Sequence, residues 1–230
     1  MPTRKRDNWM KKRNVEVLEP IERYYIFCDG EQTEPNYFEG FKKSIEQNPI
    51  YKNKIHINIE GLGKETKRVI CDAQKHIQDN KVKNAQVWCV YDKDSFPESD
   101  FNDVSEIARN LTDANHSYNV AWSNQCIEYW FILHFDYYQS NNDRKDYCKY
   151  LHTKFKKFGL QRYKKNNPEL FNILHTHGNP KQAISNAKKQ IAIFEGQTDA
   201  SSAPATKVHL LVEELSKYLP STLKSKFLDK

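Results

Sequence analysis

Short apolar runs along the chain alternate with longer stretches in which apolar residues recur every three or four positions. "RYYIFCD", residues 23–29, is aromatic and apolar, short, and stopped by Gly30, a pattern that predicts a buried strand. Tyr37, Phe38, Phe41 and Ile45 follow at helical spacing behind Thr33-Glu34-Pro35, a helix-start signal. "KIHINIEG", 54–61, alternates Ile with polar residues, as a half-exposed or edge strand does. From Lys64 to about Gln78, Val69, Ile70, Ala73 and Ile77 share one helical face. "AQVWCVYDKD", 85–94, is the most apolar run and predicts a central strand. Helix-like "DVSEIARNLTDA" and a fourth strand, "YNVAWSN" at 118–124, complete the series. The order β-α-β-α-β-α-β implies a parallel sheet covered by helices.

After Asn124 the period changes. "CIEYWFILHF" is dense in bulky apolar residues and reads as a buried helix; further helices are expected near 143–157, 167–175, 180–195 and 205–218. "EGQTDASSAPAT", 195–206, reads as a linker or mobile loop. The expected plan is an α/β core over 21–124, a helical C-terminal region over 125–230 packed on it, and an irregular basic tail over 1–20.

Charge sharpens this picture at one end. The net charge of +6 over 230 residues is modest, but Arg4, Lys5, Arg6, Lys11, Lys12 and Arg13 crowd the first thirteen positions. Such a run is most simply a solvated tail, and alternatively an arm on a phosphate backbone. An aromatic content of 13% argues against general disorder. No run approaches the ~18 apolar residues that cross a bilayer, and no secretory signal follows the basic start, so a cytoplasmic protein without membrane association is expected. The five scattered cysteines then read as reduced, mostly buried thiols. His175-x-His177, with no Cys nearby, makes a poor zinc site.

The chemistry gathers at strand ends. In an open α/β sheet of order 2-1-3-4, the carboxyl ends of the first and third strands lie side by side, where ligands bind. Asp29 ends the first strand, and Asp92 and Asp94 end the third. In extended chain, positions i and i+2 face the same side, so Asp92 and Asp94 should point together and Lys93 away. Three converging carboxylates repel unless a cation lies between them, and hard oxygens suit Mg²⁺ or Mn²⁺. Gly30 lets the backbone turn and a ligand approach. D-x-D after an apolar strand is also a common strand end or helix cap; the joint pattern carries the metal reading.

These segments resemble a known family. "FCDGEQTEPNYFEGF", "VWCVYDKDSF", "AWSNQCIEYWFILHF" and "ATKVHLLVEEL" look, in that order, like the landmarks of RloB-like proteins of the Toprim-like superfamily, across most of residues 20–218. The resemblance implies a small parallel Toprim/Rossmann-like sheet with acidic residues that bind Mg²⁺ and act on phosphodiesters. It also implies a place in bacterial phage defence (abortive infection), often beside an ATPase of AAA or ABC type. Carried over by position, Asp29 takes the place of the family's Glu, Gly30 that of its Gly, Asp92 and Asp94 those of D-x-D, and Glu34 the "TE" position. Glu128 matches a hallmark Glu, which by its place could face the metal cluster or pair with Lys93 or an Arg. One departure is Asp29 itself, shorter than Glu by one methylene; Glu31 and Glu34 are the nearby acids to compensate.

The expected activity is therefore Mg²⁺- or Mn²⁺-dependent hydrolysis of DNA or RNA, with Asp29, Asp92 and Asp94 as metal ligands and Glu34 and Glu128 completing the site. Tyr37 and Tyr91 lie close in sequence, but nothing marks either as a nucleophile, so hydrolysis is simpler than strand transfer. A non-catalytic partner or sensor subunit and a D-x-D glycosyltransferase are the rival classes, and a homo-oligomer is compatible with the sequence. His134 reads as a core histidine. Lys154, Lys156, Lys157, Arg162, Lys164 and Lys165, interleaved with Tyr150, Phe155, Phe158 and Tyr163, form either a nucleic-acid surface or an ordinary amphipathic face.

Overall fold

A computed structural model describes residues 22–63 and 66–229; the basic tail falls outside the described residues. The predicted strands and helices form in the predicted order: β1 (Glu22–Cys28), α1 (Thr33–Glu46), β2 (Ile55–Gly61), α2 (Thr66–Asp79), β3 (Ala85–Asp92), α3 (Glu98–Leu111) and β4 (His116–Asn124). The sheet runs β2-β1-β3-β4-β5, with β1 to β4 parallel and β5 (Ala205–Thr206) antiparallel to β4. β2 is an edge strand and β3 the middle one, as their hydrophobic patterns predict.

Strand periodicity divides the core. Tyr24, Ile26 and Cys28 of β1, with Trp88 and Val90 of β3, face α1 and the C-terminal helices. Phe27 of β1, with Val87, Cys89 and Tyr91 of β3, faces α2 and α3. Both faces of the middle strands are covered, so these strands are apolar on both sides. Among the described residues no cysteine is in a disulfide; Cys28, Cys89 and Cys126 are buried, Cys148 is half-buried and Cys71 is exposed.

The C-terminal half comprises α4 (Glu128–Ile132), α5 (Arg144–Lys157), α6 (Leu170–His177), α7 (Pro180–Ile193), α8 (Val208–Ser216) and α9 (Ser221–Lys224). Buried "CIEYWFILHF" is a five-residue helix followed by turns rather than one long helix. His134 is a core residue, its Nδ1 3.1 Å from the Trp130 carbonyl.

Segment 195–206 is not a linker. The Ala200 amide donates to Asn102 Oδ1 (2.9 Å), Asn124 Nδ2 donates to the Ala200 carbonyl (2.8 Å), and Lys207 Nζ meets Asp199 Oδ1 at 2.8 Å. Ser105 also donates to Asp199. Residues 205 and 206 then pair with β4 and cover its edge. Small Ser, Ala and Thr residues read as loop composition, yet their size lets the chain lie tight against the sheet, where side chains satisfy the buried backbone groups.

Candidate functional site

The carboxyl ends of β1 and β3 are adjacent, and a cavity of about 230 Å³ opens above them. Asp29, Glu34, Asp92, Asp94 and Glu128 all line it, with Gly30, Glu31, Arg144 and Lys165. All five candidate acids, spread over a hundred positions of sequence, thus share one cavity.

Each acid is held differently. Asp29 continues the β1 ladder, its amide donating to the Val90 carbonyl at 3.0 Å. Its Oδ2 accepts from the Asp92 amide at 3.0 Å. Burial pushes its carboxyl up to about 6, against hydrogen bonds from the Asp92 and Gly30 amides and the charge of Arg144. Asp92 closes β3 and is 3 % exposed; burial first, then Glu34 and Asp29, hold its carboxyl well above the usual range. Glu34 sits in the first turn of α1, where its own backbone N–H and the helix dipole favour negative charge. Burial and Asp29 still push it up to about 8.

Asp92 and Asp94 converge for a reason different from strand alternation. β3 ends at Asp92, the Lys93 and Asp94 amides donate to the carbonyls of Ser123 and Gln125, and Asp94 takes a left-handed conformation with φ 40°. Asp is among the few side chains that tolerate that region. The turn brings Asp94 Oδ2 and Asp92 Oδ2 to 2.7 and 2.9 Å from one atom, Arg144 Nη2. Lys93 leaves the cluster and donates to the Phe96 carbonyl.

Glu128 pairs neither with Lys93 nor with Arg144. It is 1 % exposed and accepts from Tyr163 OH at 3.1 Å, with Lys165 Nζ at 3.6 Å. Tyr163 and Phe155 are therefore core residues, and only Phe158 and Tyr150 of the interleaved aromatics keep appreciable exposure. No tyrosine lines the acidic cavity among the described residues; Tyr37 and Tyr91 are buried elsewhere, against Trp130 and Ser105.

Two glycines let the backbone crowd this edge. A Cβ on Gly30 would lie 2.1 Å from Glu34 Oε2, and one on Gly61 would lie 2.8 Å from the carbonyl oxygens of Gly30 and Glu31. The residue that sequence reasoning missed is Arg144. It follows the N-cap Asp143 of α5, 50 positions beyond Asp94, and no local pattern marks it. Burial opposes its charge, but the surrounding acidic groups, Asp92 and Asp94 foremost, together outweigh burial and raise its pKa.

Whether the site suits a divalent cation is a matter of donors and charge. Among the described residues, six acidic side chains line the cavity against two cations, Arg144 and Lys165. The donors are hard oxygens, the type Mg²⁺ and Mn²⁺ prefer. As the side chains stand, no three of His, Cys, Asp or Glu converge as a metal-binding group among the described residues; the Arg144 guanidinium holds two of the carboxylates. Donor type and charge excess fit the ion, and Arg144, paired with Asp92 and Asp94, is a cation that competes with it.

Fold and site together define an α/β protein with an acidic cavity at the reversal of strand order. The chain belongs to the RloB-like family: the family model for RloB-like proteins matches residues 24–215. No curated protein and no solved structure matches it. No described helix is long and apolar enough to cross a membrane.

Proposed function

We propose that this RloB-like chain is a Toprim-type nuclease that hydrolyses nucleic-acid phosphodiesters with Mg²⁺ or Mn²⁺, in bacterial phage defence beside a partner ATPase. The supporting observation is that Asp29, Glu34, Asp92, Asp94 and Glu128 line one cavity at the carboxyl edge of the sheet. Asp29, Asp92 and Asp94 are the residues to hold the ion, which when bound polarises a phosphoryl oxygen and acidifies water. Asp29 Oδ2 is engaged by the Asp92 amide, which fixes its position and suits a ligand better than a mobile proton donor. Glu34, whose carboxyl burial and Asp29 push upward in the metal-free cavity, is the group placed to hold a proton for a leaving oxygen. Tyr163 and Lys165 orient Glu128, which also lines the cavity.

The test incubates purified protein with plasmid, single-stranded DNA or tRNA in Mg²⁺, Mn²⁺ or EDTA, beside Asp92→Asn and Asp94→Asn. Metal-dependent cleavage by the wild type alone is expected. Cleavage that persists in both variants refutes the site. The Arg144 bridge favours a second reading, a non-catalytic subunit whose acids are neutralised internally. Absence of any cleavage, with the partner ATPase supplied, would select it.

A further inference from the structure

Arg144 stands between two spaces. On one side is the acidic cavity. On the other is a cleft of about 410 Å³ lined by Asp94, Ser95, Phe96, Gln125, Asp143, Arg144 and Lys145. Asp94, Phe96 and Arg144 line both, so the guanidinium forms part of the wall between them. Its ion pairs to Asp92 and Asp94 both run through Nη2, and Nε is buried without a hydrogen-bond partner. The guanidinium fork that matches a carboxylate or phosphate with two parallel bonds is thus not used in that way with either aspartate. The side chain is about one-third exposed, so it can be reached from the cleft.

We propose that Arg144 is an exchangeable counter-ion. It holds Asp92 and Asp94 in the free protein, yields them to a divalent cation, and then grips a substrate phosphate with its fork. The adjoining cleft, with the Lys145 cation and the half-buried Phe96 ring, takes the flanking nucleotide. The same arginine thereby links metal entry to substrate entry. This inference rests on the metal-dependent reading above for its place in catalysis, but its tests do not require turnover.

Mn²⁺ is titrated into the full chain and the free ion followed by electron paramagnetic resonance, for wild type, Arg144→Gln and Arg144→Lys. Removing a competing positive charge should tighten Mn²⁺ binding at least about tenfold in Arg144→Gln, whereas Arg144→Lys, which keeps the charge, should stay within about threefold of wild type. Thymidine 3′,5′-bisphosphate is then titrated calorimetrically in saturating Mn²⁺. Both variants should bind it about tenfold more weakly, because lysine keeps the charge but lacks the fork. Unchanged or weaker Mn²⁺ binding in a folded Arg144→Gln overturns the counter-ion role. Unchanged bisphosphate binding in Arg144→Lys, which also decides the case if Arg144→Gln does not fold, overturns the phosphate role. A wild type that binds both probes as expected yet cleaves nothing with the partner ATPase supplied removes the nuclease reading and leaves Arg144 as assigned.

Discussion

Replacing Glu34 by Gln should make the metal-free protein more stable. Glu34 is 4 % exposed, and its carboxyl is displaced from the ordinary 4.5 to about 8 by burial first and Asp29 next. The folded-state value lies above the unfolded one, so folded chain binds the extra proton. Stability from this group is fullest below pH 4.5 and declines as pH rises through about 8. At pH 7 the charge that must be suppressed costs about 3 kcal/mol; at pH 5 the same linkage gives under about 1 kcal/mol. Glutamine keeps the shape and an acceptor for the helix amide but cannot ionise. Allowing for imperfect hydrogen bonding, the gain at pH 7 is about 1–3 kcal/mol, or roughly 2–10 °C in melting temperature. Thermal melts in EDTA at pH 5 and pH 7 measure it. Taking the difference between variant and wild type cancels the buried histidines, His134 and His209, both pushed down to about 4 by burial, whose effect on stability runs the opposite way with pH. Saturating Mg²⁺ should narrow the gap, since an ion bound only by folded chain stabilises the charged cavity. A Gln variant that is less stable by the same amount at both pH values would refute the argument that this carboxylate is electrostatically strained.

Three further substitutions test other parts of the structure. Gly30→Ala would place a methyl 2.1 Å from Glu34 Oε2; a loss of about 1–3 kcal/mol in urea unfolding is expected, together with lost cleavage, and an unchanged unfolding midpoint would show that Glu34 is not packed there. Tyr163→Phe removes the 3.1 Å hydrogen bond to buried Glu128 and should cost about 1–3 kcal/mol, with the double variant carrying Glu128→Gln costing less than the sum of the singles. Asn102→Ala frees the Ala200 amide; a loss of about 1–2 kcal/mol and faster proteolysis within 195–203 are expected, whereas equal cleavage rates in variant and wild type would show the segment to be loose already.

The parallel core was legible because its signals are local. "RYYIFC" and "AQVWCVYD" must bury both faces, and the helical stripe Tyr37, Phe38, Phe41 and Ile45 must be covered by another apolar surface; periodicity and chain order then leave few topologies. The convergence of Asp29 with Asp92 follows from the same order, since β1 and β3 are neighbours. What needed tertiary structure rests on contacts between distant positions. Arg144 reaches Asp92 and Asp94 only because α5 begins beside the sheet edge. Asp94 turns inward through a left-handed residue rather than through strand alternation, and residues 195–206 become ordered because Asn102, Ser105 and Asn124 supply their partners. Side-chain periodicity encodes which face is buried; it carries no record of which remote charge or hydrogen-bond donor arrives there. Sequence alone therefore specified the four parallel strands and the acids at their ends, and only the folded chain decided what stands opposite them and that a fifth, antiparallel strand closes the sheet edge.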